Sequence, residues 1–507
     1  MRKPQTNSLK ISLGATWVDH AVRTLIGIFL MPFVLGSLGE SHYGTWIFLN
    51  SAAGYSGLLY LGFGQTSCRY FSACHARGDW GGLNQVFNVI LAVFISMGAL
   101  VMMIAGCLAW LAPWLCDWGG VSLAEIRIAI LLLGANFGVG LAGSVFGGLL
   151  TGIQRFDIER GICTFSAIVR VVLTVVLLQV EWGLVILSAI FLVVTCVEVI
   201  GHMVFAFWKV ETLSLGVRHF RWPVLKECAH FSSYAFLDVI SHQVMRLTDT
   251  VIIGLAFGAR ATVGYYIALR LSQFIAHPIQ QIGHVLMPRA GELNENARPE
   301  QIRQEVSRAT GLAFLLVAAS FVGAGFFGRD LVTTWIGGGY EQSQLLLMIL
   351  LSAQLVATPV MVIRSALLGM GHVRAPALII FVETIANVAL SLVLMQYFGL
   401  IGVALGTLIP VVIVELGILL PYAFRTLQMS WTSFVRDVLG PQCIPLLAVL
   451  AYSGFVSANF TSTTGWGPLL GVALGGGAVL AAGWFASQHA VRVARTWRTT
   501  ASQVGTR

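Results

Sequence analysis

Over 507 residues the chain is 57% hydrophobic and only 10% charged, with a mean hydropathy of +0.83, far below the roughly 25% charged content of a soluble domain. Apolar runs of about 20 residues suit helices crossing a hydrocarbon core of roughly 30 Å, and the alternating strands of an outer-membrane barrel are missing, so the expected class is an all-α polytopic membrane protein. The net charge of +8 gives nucleic-acid binding no support, because its basic residues sort by membrane side.

Spans are predicted near residues 12–36, 43–66, 86–113, 123–150, 161–180, 183–208, 231–256, 261–288, 309–328, 344–370, 375–397, 399–424, 441–459 and 467–487, about fourteen in all. Twenty-two Lys and Arg fall at the N-terminus, after even-numbered spans and at the C-terminus, against three on the other side. The positive-inside rule then places both termini in the cytoplasm. Met1 to Lys10 reads like the basic start of a signal peptide, but the following span is too long and too polar for one, so no cleavage is expected. Eight cysteines are scattered without a CxxC pair, which predicts neither a disulfide framework nor a metal site.

In chain order, the first span carries Ser12, Thr16, Asp19 and Arg23 within an arc of about 60° on a helical wheel, followed by Leu38-Gly39 and Gly44. Some 220 residues later Phe257-Gly258 and Gly264 repeat that layout. An offset of 217 carries Gly152-Ile153-Gln154-Arg155 onto Gly369-Met370-Gly371-His372, Gln179 onto Gln396 and Glu198 onto Glu415. One offset spanning several helices indicates a parallel internal repeat. The expected domains are an N-lobe of six helices (1–208), a cytoplasmic linker (209–230), a C-lobe of six helices (231–425), and two further helices with a basic tail (426–507). Arg289 to Arg308 mixes Arg with Glu around Pro299 and reads as a solvated connection between spans.

The seventh and eighth spans are the most polar. Tyr234, Asp238, Ser241, His242, Arg246 and Asp249 share an arc of roughly 140°, and Tyr266, Arg270, Gln273, His277, Gln280, Gln281 and His284 one of roughly 100°. Five arginines lie inside spans (Arg23, Arg170, Arg246, Arg270, Arg364), with six acids (Asp19, Glu198, Asp238, Asp249, Glu383, Glu415). Facing lipid, these eleven would cost on the order of 30 kcal/mol, so most must face one another or water. Asp19 with Arg23, and Arg246 with Asp249, are spaced to pair as helix locks or to line a cavity. Arg270 has Gln and His neighbours on its own helix but no acid, which favours a cavity wall. A guanidinium there suits a phosphate, which its planar fork can grip twice. Pro278 interrupts the same helix and favours a bend.

Leu38-Gly39-Glu40-Ser41-His42-Tyr43-Gly44, Gly62-Phe63-Gly64 with Arg69-Tyr70, Asp249-Thr250-Val251-Ile252-Ile253-Gly254, Val263-Gly264-Tyr265-Tyr266, Leu286-Met287-Pro288-Arg289, Leu368-Gly369-Met370-Gly371-His372 and Gly399-Leu400-Ile401-Gly402-Val403-Ala404 follow one another in the order that resembles the Wzx-type polysaccharide-biosynthesis flippases of the multidrug/oligosaccharidyl-lipid/polysaccharide (MOP) exporter superfamily. The resemblance implies a MATE-like fold of two six-helix lobes around a central cavity. It implies a transporter rather than an enzyme, moving an undecaprenyl-diphosphate-linked oligosaccharide across the bacterial inner membrane by alternating access, with no cofactor beyond Na+ or H+ coupling. Membrane lipid, a polysaccharide polymerase and glycosyltransferases are the implied partners. Substrate contacts are expected from Arg23, Arg270, Gln273, His277, Arg246 and Arg364, and counter-ion or ion-coupling roles from Asp19, Asp238 and Asp249. A peptidoglycan lipid-precursor flippase and a multidrug or cation antiporter of the same superfamily are the alternatives, the antiporter disfavoured by five buried arginines.

Overall fold

The computed structural model describes residues 6–60, 63–178, 182–216, 218, 220–460 and 463–504, without the side chains of residues 6–21, 23, 64–66, 227, 229–235, 237–239, 242, 246 and 490–504. Among the described residues there are helices and no strand. Among those residues, ten helical stretches are long and apolar enough to cross a membrane. The class is therefore all-α and multi-pass, as the apolar runs require.

Helix α1 (Thr6–Gly54) carries the first expected span and the beginning of the second as one element, broken at Gly39 with φ 74 and ψ 171. A short 3-10 turn (Tyr55–Tyr60) leads to α2 (Phe63–Arg77), α3 (Trp80–Leu115), α4 (Leu123–Gly152), α5 (Phe156–Leu177) and α6 (Gly183–Lys209). Next come α7 (Trp222–Phe257) and α8 (Ala259–Glu295), joined at Gly258 with φ 84 and ψ 167. Gly39 and Gly258 thus share a backbone conformation that only glycine adopts without strain. Gln154 (φ 62) and Gly371 (φ 89), 217 residues apart, likewise both turn left-handed just past α4 and α10.

The chain continues with α9 (Pro299–Ile336), α10 (Gln342–Gly369) and α11 (Arg374–Val414), the last broken at Gly399 and followed by a π turn at Glu415–Leu419. Then come α12 (Leu420–Leu427), α13 (Trp431–Phe434), α14 (Cys443–Asn459) and α15 (Trp466–Val504). Helix α8 is not among the ten apolar stretches, because its Gln, His and Arg stripe lowers its hydropathy. It nonetheless continues through both Pro278 and Pro288.

Two compact units result, Met1–Val263 and Gly264–Arg507. In the first, Phe71, Phe87, Ile90, Phe94, Leu141 and Leu149 form the core between α2, α3 and α4, and α7 packs with α1, α2 and α3. Glu125, buried in the first turn of α4, accepts the Leu184 N–H at 3.0 Å and so satisfies one open donor at the start of α6. On α3, Asn84 and Asn88 clamp the segment beyond α6. Their amides donate to the carbonyls of Thr212 and Ser214 at 2.8 Å, and their oxygens accept the N–H of Ser214 and Gly216 at 2.9 Å. In the second unit the core lies between α8, α9, α10, α12 and α13, around Leu286, Val306, Val317, Val362, Leu367 and Phe424. The α8–α9 connection is solvated, with Arg289–Glu292 and Arg303–Glu300 ion pairs three residues apart.

Candidate functional site

Helix α8 sorts its residues as the sequence period requires. Tyr265, Ala268, Leu271, Ser272, Ala276 and Ile279 are buried, while Tyr266, Arg270 and Gln273 are half-buried on another face. The Arg270 guanidinium is held by its own helix. Nε donates to the Tyr266 hydroxyl at 2.7 Å, Nη2 donates to the same oxygen, and Nη1 donates to Gln273 Oε1 at 3.3 Å. The guanidinium carbon also lies 4.8 Å from the Tyr266 ring centroid. Residues at i−4 and i+3 thereby hold a planar cation in one orientation along its own helix. His277, one turn on, and His284 are exposed.

A second polar group in the same unit gathers Arg364 of α10, Glu383 of α11 and Glu415 of the π turn. Both carboxyls are buried, at 2% and 6% exposure, and Arg364 acts electrostatically on each. One oxygen of each acid, and Asn387 Oδ1, are buried without a hydrogen-bond partner among the described residues. The Asn387 amide donates to Thr407 Oγ1 at 3.0 Å, tying together the two halves of α11.

The first unit holds a polar cavity of about 470 Å³, lined by Asn136, Arg170, Thr195 and Glu198 among others. Thr195 donates to Asn136 Oδ1 at 2.7 Å, linking α6 to α4. Arg170 lies over the Phe191 ring at 4.4 Å, and that ring in turn meets Trp46 edge-on at 4.9 Å. An arginine inside a span is thus accommodated by aromatic faces as well as polar groups.

Of the expected site residues, Arg270 and Gln273 are in hydrogen-bond contact, His277 follows them on α8, and Arg364 stands with Glu383 and Glu415. Asp249 is buried on α7, next in sequence to Thr248, whose hydroxyl is hydrogen-bonded to Tyr55. The side chains of Arg23, Arg246, Asp19 and Asp238 lie outside the described residues. Sequence reasoning overlooked the grouping of Arg364 with two acids and the polar cavity around Arg170. The shared 217-residue offset of Glu198 and Glu415 was the available signal.

The sequence profile of the polysaccharide biosynthesis protein family matches residues 84–345, just over half of the chain. Among curated proteins, a putative O-antigen transporter of Shigella flexneri is 22% identical over 416 residues, covering 80% of this chain and 96% of the relative. A probable low-salt glycan biosynthesis flippase of Haloferax volcanii is 20% identical over 207 residues, 41% of this chain and 44% of its own. Among solved structures, the lipid II flippase MurJ in an inward closed conformation superposes with TM-score 0.68 at 13% identity, covering 94% of this chain and 98% of that one. An inward-facing multidrug MATE transporter of the MOP superfamily gives TM-score 0.65 at 16% identity, covering 80% and 98%. The fold is that of the MOP superfamily.

Proposed function

Because the chain belongs to the polysaccharide biosynthesis protein family and is a flippase-type membrane transporter, we propose that it carries an undecaprenyl-diphosphate-linked oligosaccharide from the inner to the outer leaflet of the cytoplasmic membrane. The observation that carries this reading is the Arg270 guanidinium, oriented by Tyr266 and Gln273 on a helix whose other face, with Ala268, Leu271 and Ile279, is buried. A diphosphate headgroup matches such a fork in charge and in spacing, and an organic cation does not. The chain's similarity to an O-antigen transporter over 96% of that relative's length supports the same cargo class.

In this reading both termini face the cytoplasm, and two six-helix lobes related by the internal repeat, with two added helices, carry out alternating access. The matching backbone of Gly39 and Gly258 supports the repeat. A gradient of Na+ or H+ resets the cycle, with Asp249, buried on α7, among the groups that sense it. Polymerase and glycosyltransferases act on either side of the step.

Arg270→Ala in a null strain should abolish surface polysaccharide while the protein is still inserted at native level, and Arg298→Ala, exposed at the α8–α9 turn, should leave export unchanged. Normal export by Arg270→Ala at native expression overturns the cargo assignment. Rescue of a strain depleted of its lipid II flippase, with no rescue of O-antigen export, would instead assign a peptidoglycan precursor.

A further inference from the structure

Cys163 lies at the meeting point of two i, i+4 pairs on neighbouring helices, Glu159 and Cys163 on α5, and Glu198 and His202 on α6. All four line the polar cavity of the first unit. The donor atoms of Glu159, Cys163 and His202 fall within 4.8 Å of one another. Cys163 Sγ is 3.5 Å from Glu159 Oε1 and 3.7 Å from Glu198 Oε1. We propose that Glu159, Cys163 and His202, with Glu198 beside the thiol, form a binding site for a divalent transition-metal ion of the Zn2+ class, clipping α5 to α6.

The geometry favours a metal over a set of ordinary hydrogen bonds. A Zn2+ ion with a sulfur ligand at about 2.3 Å and a carboxylate oxygen at about 2.1 Å in tetrahedral array sets those two ligands about 3.6 Å apart. The two sulfur–oxygen distances, 3.5 and 3.7 Å, bracket that edge. A thiol has one proton and can donate to only one of the two carboxylates at a time. His202 supplies the independent sign. It is 6% exposed, and its Nε2 is buried with no hydrogen-bond partner among the described residues. A buried imidazole nitrogen without a partner is costly, and a metal bond satisfies it.

Charge points the same way. On binding, the thiol proton leaves to solvent and the thiolate bonds the ion. One thiolate and two carboxylates around a divalent cation leave one negative charge, and Arg160 Nε stands 3.1 Å from Glu159 Oε2 to meet it. Mixed sulfur, nitrogen and oxygen donors select Zn2+ and its neighbours over Mg2+ or Ca2+, which prefer oxygen alone.

The test uses the full chain in nanodiscs, purified through a tag without histidine, stripped with chelator and reloaded with Zn2+ or Co2+. One metal per chain should survive desalting, and Co2+ should give a thiolate-to-metal charge-transfer band with tetrahedral d–d absorption. Cys163→Ser should remove that band. Cys163→Ser and His202→Ala should each weaken Zn2+ binding by more than the roughly 10- to 100-fold that loss of an outer-shell partner costs. Cys107→Ser, at an exposed thiol, should leave stoichiometry and spectrum as they were. Cys163→Ser changes one atom, so it decides the matter even where His202→Ala fails to fold. Two results overturn the site: wild-type protein that retains no metal after desalting, or metal content and spectrum unchanged in folded Cys163→Ser.

Discussion

Tyr266→Phe isolates the orientation of Arg270 from its charge. The hydroxyl accepts from both Nε and Nη2 of the guanidinium, and phenylalanine removes that acceptor while keeping the ring over which the guanidinium sits at 4.8 Å. A hydrogen bond to a charged group is worth about 1.5–3 kcal/mol net when buried. Arg270 is half-buried, so water recovers part of this and about 1 kcal/mol is expected, equivalent to roughly a 5-fold loss in apparent affinity for the cargo headgroup. Retained cation–π attraction, about 0.5–1 kcal/mol, keeps the arginine near its place. Arg270→Lys should cost more than Tyr266→Phe, because it keeps the charge and loses the fork. Export is read as surface polysaccharide per inserted protein in a null strain, and headgroup affinity as the thermal shift with lipid-linked oligosaccharide in nanodiscs. If Tyr266→Phe and Arg270→Lys both bind and export as wild type while Arg270→Ala does not, charge alone matters and the oriented-fork argument fails.

Three further outcomes follow from geometry away from α8. The Arg155 side chain hydrogen-bonds both oxygens of Asp157 at 3.0 and 2.9 Å and holds its carboxyl below the usual range. That contribution is present above the unfolded value near ~3.9 and is lost as pH falls through the lower folded value. The pair is about a third exposed, so Asp157→Asn should lower stability by only about 0.5 kcal/mol at neutral pH, with the difference shrinking in melts as pH falls through the lowered folded value. Asn88→Ala strips partners from the Ser214 carbonyl and the Gly216 N–H. It should cost about 1–3 kcal/mol and speed proteolytic cutting around residues 212–216, and unchanged cutting would show that the clamp does not hold this segment. Arg364→Leu leaves Glu383 and Glu415 facing each other without their cation. It should depress the melting temperature more than Arg364→Leu combined with Glu383→Gln, and equal melts would refute the grouping.

Much of the scaffold was legible because a hydrocarbon core admits few solutions. Apolar runs became helices, and the breaks at Gly39, Gly258 and Gly399 fall where the sequence put glycine beside apolar ends. The α8 stripe was legible too, since Tyr266, Arg270 and Gln273 interact along one helix and need no knowledge of its neighbours. What required the fold is whatever depends on the register of one helix against another. Arg364, Glu383 and Glu415 come from three separate segments, and periodicity gives each a face but not the partner across from it. Cysteine spacing alone predicts no grouping of Cys163 with Glu159 and His202. A Glu–Cys pair on α5 and a Glu–His pair on α6 become one cluster only when the two helices align at Cys163.

Glu198 and Glu415, 217 residues apart, are acids inside spans that stand in different chemical surroundings. In the first unit Glu198 stands 3.7 Å from a thiol, in a cavity that also holds Arg170 and His202. In the second, Glu415 is buried in a π turn beside another acid and Arg364, where a π turn often marks a functional position. A lone charge inside a span costs about 2.5–3.5 kcal/mol on insertion scales, so an acid retained at both positions must be repaid by local partners. The partners differ: a thiol in one unit, carboxyl and guanidinium in the other. A polar interior is thus met by different local partners in the two units, which is what the cost of a charge inside a span requires.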